Sequence, residues 1–141
     1  MSTPTQISFE FYPTFNVSAD LITAMRGAVL SCNLSREQIV DRMNDLAGRY
    51  GVVMVQGGGR LTLDTLEKWL NPNDTSRAIP VKALPVFCAV TKDKGPMDVI
   101  AKPLGFAVIG KEDAKLLAWA KASQKAKAIR EELKRLEREI S

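Results

Sequence analysis

The sequence of 141 residues predicts a mostly α fold: a helix-turn-helix body of about five helices with one or two short strands, then a long C-terminal helix. Three observations predict it. Apolar residues recur at spacings of three and four through most of residues 18–104, the period of an amphipathic helix. Gly and Pro interrupt that pattern at short intervals, so the helices there are short. From Lys111 onward neither Gly nor Pro occurs, and the apolar residues fall into a heptad repeat. The expected organisation is an N-terminal arm or strand over 1–17, a body over 18–110 and a C-terminal helix over 111–141.

In ISFEFY, Ile7, Phe9 and Phe11 alternate with polar residues, as in a half-buried strand packed on the body, and Pro13 closes it. The next segment, SADLITAMRGAVLSC, is helical. Leu21, Ile22, Met25, Ala28 and Val29 share one face, Ser18 is the expected N-cap, and Asp20 suits the first turn. In SREQIVDRMNDLAGRYG, Ser35 and Gln38 match a capping box, in which each side chain satisfies an open backbone N–H of the other residue. Ile39, Val40, Met43, Leu46 and Ala47 form its buried stripe, and Gly48 or Gly51 ends it.

VVMVQGGGR reads as a strand or flap whose glycines let it bend. LTLDTLEKWLNP follows with Thr62 as N-cap and Leu63, Leu66 and Leu70 on one face. Asn71-Pro72 stops that helix, because the residue before proline avoids the α region. Two further short helices follow. Val81, Leu84, Phe87, Cys88 and Val90 are expected in the core from the first, with Pro80 or Pro85 in its first turn. Met97, Ile100, Ala101 and Leu104 form the stripe of the second, and GFAVIG is a short strand that would pair with VVMV or ISFEFY.

In the C-terminal helix, Glu112 and Asp113 sit favourably in the first turn. Trp119, Ala122, Ala126, Ile129, Leu133, Leu136 and Ile140 recur at alternating spacings of three and four, a seam long enough for a coiled coil and for self-association. With Ala126, Leu133 and Ile140 at a, the flanking charges disfavour a parallel homodimer. Lys125 would face Arg130, and Glu132 would face Glu137. An antiparallel pair, or packing on the globular body, avoids both clashes.

The composition excludes more than it identifies. The chain has no histidine, which removes the commonest general base, the commonest metal ligand and the Ser-His and Cys-His nucleophile pairs. Together with the absence of any paired catalytic group, this argues against an enzyme, a cofactor, a metal or a small-molecule substrate. Cys32 and Cys88 show no metal spacing and read as reduced core residues of a cytoplasmic protein. No secretion signal is evident at the N-terminus, and no apolar run approaches the roughly 20 residues of a membrane span.

The net charge of +4 hints at an anionic partner, but it is uneven. Residues 1–79 carry seven Lys/Arg against eight Asp/Glu, residues 80–110 four against two, and residues 111–141 nine against six.

QGGGRLT invites comparison with phosphate-binding loops. A Walker loop needs G-x-x-x-x-G-K-[ST], whereas here arginine stands where lysine should be and the glycine spacing differs. A dinucleotide fingerprint needs a βαβ unit, and the chain after Leu70 is a run of short helices. The helix-turn-helix reading fits better. SREQIVDRMNDLAG is the supporting helix and LTLDTLEKWL the recognition helix, although the connection from Gly48 to Leu61 far exceeds the usual three or four residues. Thr62, Asp64, Thr65, Glu67 and Lys68 then face outward, and Arg60 can reach a phosphate or a guanine edge. Arg36, Arg42, Arg77 and Lys82 are candidate phosphate contacts. The two outward carboxylates are costly beside phosphates unless they accept from cytosine or point to neighbouring residues.

The segments SREQIVDRMNDLAG, TLDTLEKWLNP and IPVKALPVFCAVTKDKGPMDVIAKPLG together resemble the phage CII regulatory proteins, small regulators of temperate and Mu-like phages. The resemblance covers about residues 35–105 and is carried by T-L-x-x-x-L-N-P followed by the Leu-Pro helix. It implies a helix-turn-helix transcription regulator in the bacterial host cytoplasm, acting as an oligomer on double-stranded promoter DNA. Thr62, Asp64, Thr65, Glu67 and Lys68 occupy the outward positions of its recognition helix, and Trp69 is expected to face a partner chain. The alternative is a non-enzymatic helical adaptor or structural phage protein that binds another protein.

Overall fold

The computed structural model describes residues 14–141, so the expected strand ISFEFY lies outside the described residues. Six α-helices follow in order among them: α1 (Ser18–Ser31), α2 (Arg36–Tyr50), α3 (Leu63–Trp69), α4 (Leu84–Thr91), α5 (Gly95–Ala101) and α6 (Lys111–Ile140), with a 3-10 turn at Lys102–Leu104. The chain divides into two compact units, the first ending at Val108 and the second running from Ile109 to Ser141.

Within the first unit, α1 packs against α5, α2 against α4 and α3, and α4 against both α1 and α5. All five stripe residues of α1 are buried. Ser18 does not cap that helix; it is the first helical residue, and Val17 holds the capping position without a side-chain hydrogen bond. The capping box of α2 is present in full: Ser35 Oγ accepts from Gln38 N at 3.1 Å, and Gln38 Oε1 accepts from Ser35 N at 2.9 Å. At the other end Gly51 takes φ 66°, ψ 30°, and Val52 N–H returns to the Ala47 carbonyl at 2.9 Å. Only a residue without Cβ enters that left-handed turn at no steric cost, which explains a stop at Gly51 rather than Gly48.

The core gathers Met25 and Ala28 of α1, Ile39 and Met43 of α2, Leu66 and Leu70 around α3, and Phe87 of α4. Thr91 is the one buried polar residue among those described, and its hydroxyl donates to the Phe87 carbonyl at 2.9 Å.

Several expectations are corrected here. No strand forms among the described residues, at VVMV or at GFAVIG. In the first of these Met54 turns into the core while Val53 is exposed, but no neighbouring backbone among the described residues completes a ladder. In the second, Phe106 and Ile109 are exposed. Val81 is not a core residue: at 86% exposure it lies on the turn before α4, and Ala83 and Ile79 fill the core instead. Ile100 and Leu104 are likewise exposed, and Pro96 is the buried anchor of α5. Cys32 and Cys88 are free thiols, both half-buried rather than fully enclosed.

In the second unit α6 is an uninterrupted helix of 30 residues, none of them buried. No helix of the described residues is long and apolar enough to cross a membrane.

Candidate nucleic-acid interface

α3 has seven residues, fewer than an isolated helix needs to hold together in water, so its position depends on what fixes it. Leu66, Trp69 and Leu70 anchor it from below, each 5% exposed or less. Trp69 therefore belongs to the core and is not displayed to a partner. It lies three residues after Leu66, on the same face as the Leu66–Leu70 pair.

Three polar ties reach α3 and its lead-in from α1 and α2. Asn44 of α2 grips the backbone of Leu61 with both ends of its amide. Nδ2 donates to the Leu61 carbonyl and Oδ1 accepts from the Leu61 N–H, each at 2.9 Å. Arg36, the first residue of α2, forms an ion pair with Glu67 on α3. Arg26 of α1 donates from Nη1 to the carbonyl of Leu70, the residue that ends α3, at 3.0 Å, where a cation also complements the helix dipole. Nothing in the local sequence marks Asn44 or Arg26. Their partners lie 17 and 44 residues away, and no local pattern marks such contacts.

The long connection between α2 and α3 is stapled at both ends. Met54 and Leu61 are buried at 4% and 2% exposure, while Gln56 through Arg60 are exposed. Gly57 and Gly58 take φ 90° and 79°, and Gly58 N–H closes a turn onto the Val55 carbonyl at 3.2 Å. The loop is a short tip on fixed stems that delivers Arg60 to the start of α3. At that start Thr62 Oγ1 accepts from Thr65 N–H at 3.2 Å, capping the helix as its sequence predicts.

On the outer side of α3, Thr62, Asp64 and Lys68 are exposed, and Thr65 and Glu67 are half-buried. Both carboxylates have partners. Asp64 pairs with Lys68 one turn on at 3.0 Å, and Glu67 with Arg36. Pairs this exposed are worth about 0–1 kcal/mol, so Lys68 can leave Asp64 for a phosphate at little cost. Among the described residues none of Arg42, Arg60, Arg77 and Lys82 is in an ion pair, and all four are exposed. Arg77 lies near the Asp74 carboxyl, which is held below the usual carboxylate range chiefly by hydrogen bonds from Ser76. Lys82 lines a groove of about 470 Å³ between the loop and the turn before α4, together with Val53, Met54, Val55, Gln56, Gly57, Pro80 and Val81.

No cluster of three or more His, Cys, Asp or Glu residues able to hold a metal ion occurs among the described residues. The exposed seam of α6 includes Trp119 at 67%, Ile129 at 54%, Leu133 at 52%, Leu136 at 44% and Ile140 at 87%, with Ala122 and Ala126 also exposed. Comparison with family models, with curated proteins and with solved structures gives no match.

Proposed function

We propose that the protein is a phage or prophage transcription regulator that binds double-stranded DNA through α2 and α3 and acts as an oligomer joined through α6. One observation carries this reading. A seven-residue helix is fixed from beneath by Leu66, Trp69 and Leu70 and by polar ties from Asn44, Arg36 and Arg26, while Thr62, Thr65 and Lys68, with Arg60 ahead of them, remain on its outer side. A helix that enters a major groove must be held this firmly and carry short polar and cationic side chains outward. Pairing of Glu67 with Arg36 lowers the repulsion of that carboxylate toward phosphates. The resemblance of residues 35–105 to phage CII regulators points the same way.

The experiment is fluorescence anisotropy with labelled duplex DNA, both random sequence and DNA flanking the gene. The expected result is binding at low salt that fades as salt rises, and that weakens when Arg60 and Lys68 are both replaced by alanine with no change in melting temperature. Absence of binding at low salt to either DNA contradicts the reading.

A second reading, a helical adaptor for another protein, is favoured by the groove beside the loop. Val53 and Val81 flank it at 52% and 86% exposure, an apolar pair that a protein partner would cover.

A further inference from the structure

The heptad seam of α6 is exposed throughout, so what covers it depends on what matches its pattern of size and charge. Apolar side chains are unevenly distributed along it. Ala122 and Ala126 occupy the front half, whereas Ile129, Leu133 and Leu136 occupy the rear half and Trp119 opens the seam. A parallel in-register pair would set alanine against alanine in the front half, leaving a gap there. An antiparallel pair sets a positions against d positions and g against g, and so brings the front of one helix to the rear of the other.

Sliding the two antiparallel helices by whole heptads gives few registers, and the g charges distinguish them. With Ala126 opposite the partner's Leu136, Lys125 meets the partner's Glu139, but Glu132 meets the partner's Glu132 and Arg130 the partner's Arg130 at the dyad, and Trp119 has no opposite residue. With Ala126 opposite the partner's Ala122, Lys125 meets the partner's Lys125. With Ala126 opposite the partner's Ile129, Lys125 meets the partner's Glu132, and the two-fold repeats that pair. The same register seats Ala122 against the partner's Leu133 and Trp119 against the partner's Leu136, small against large in two layers of every three. The overlap from Trp119 to Leu136 is about 27 Å long at 1.5 Å per residue. Glu132 already accepts from Arg135 on its own helix, and that guanidinium holds its carboxyl below the usual carboxylate range. The carboxylate is therefore charged at neutral pH, and its remaining lone pairs stay open to a second cation.

We propose that α6 joins two copies of this chain as an antiparallel coiled coil in which Ala126 packs on the partner's Ile129 and Lys125 pairs with the partner's Glu132. This rests on the reading of α6 as the oligomerisation helix and adds the orientation and register.

Sedimentation equilibrium of the full chain under reducing conditions at low salt tests it, with Lys125→Glu, Glu132→Lys and the double exchange. Each single exchange places like charges at both symmetry-related pairs and is expected to weaken the dimer about tenfold. The double exchange restores opposite charges and should return the dissociation constant to within about twofold of the parent. A parallel dimer behaves oppositely: each single exchange would then relieve a clash with Arg130 or Glu137 and strengthen association. Strengthening by either single exchange, or failure of the double exchange to restore the dimer, overturns the proposed register while leaving self-association intact. A parent chain that stays monomeric at every concentration overturns the oligomer reading itself, and this proposal with it.

Discussion

Replacing Asn44 with alanine removes both hydrogen bonds that hold the backbone of Leu61 to α2. Leu61 is 2% exposed, and its backbone N–H and C=O have no water to fall back on unless the loop lifts away. Each bond lost costs about 0.5–1.5 kcal/mol net, and a polar group stranded in the interior costs about 1–3 kcal/mol. Asn44 itself is half-buried, which allows some solvent to compensate and puts the total near the lower end, about 2 kcal/mol. For a domain of this size that corresponds to a fall of roughly 10 °C in Tm. Urea denaturation followed by far-UV circular dichroism measures it, with Asp45→Ala as the control. Asp45 is the next residue on α2, and its ion pair with Arg49 is about two-thirds exposed on both sides, so its loss should cost less than about 0.5 kcal/mol. If Asn44→Ala falls within 0.5 kcal/mol of the control, the clamp is not what positions the lead-in to α3, and the reasoning about that helix fails with it.

Three other outcomes follow from the same structure. Trp69→Ala should cost about 3–5 kcal/mol irrespective of protein concentration, because Trp69 is a core residue; a small, concentration-dependent loss in thermal melts would return it to a partner interface. Gly58→Ala should destabilise by about 1 kcal/mol through its φ of 79°, whereas Gly59→Ala, with no strained φ and open space around it, should be nearly neutral. Burial, with a contribution from the charge of Asp93, pushes the Cys88 thiol up. Its alkylation by iodoacetamide at pH 8, followed by peptide mapping, should therefore lag behind free cysteine, and a faster reaction would contradict the half-buried placement.

What the sequence reveals of this fold is what short-range chemistry controls. The Ser35–Gln38 box, the Thr62 cap and the stop before Pro72 each depend on residues within four positions of one another, and each lies where its pattern predicts. The buried stripe of α1 follows from spacing alone. Trp69 is also legible, since a residue three places from Leu66 shares its buried face. VVMV misleads for a different reason. Its composition and alternation suit a strand, but a strand also needs a partner edge, and nothing in a local window records whether one exists. The ties from Asn44, Arg36 and Arg26 are beyond such reading altogether, since each is an ordinary polar residue until the chain folds back on itself. The outward residues of α3, its apolar anchors and its cap can be named from the sequence; the long-range polar ties that fix it cannot.

Binding to duplex DNA through phosphate contacts must weaken as salt rises. Anisotropy titrations at several salt concentrations yield the slope of log K against log salt, which counts the phosphates neutralised at about 0.9 per contact. The expected slope is steeper than about −2 for the parent chain, and shallower by about 1 for each of Arg60→Ala and Lys68→Ala that removes a phosphate contact. A flat slope, or no measurable binding at low salt, contradicts such binding.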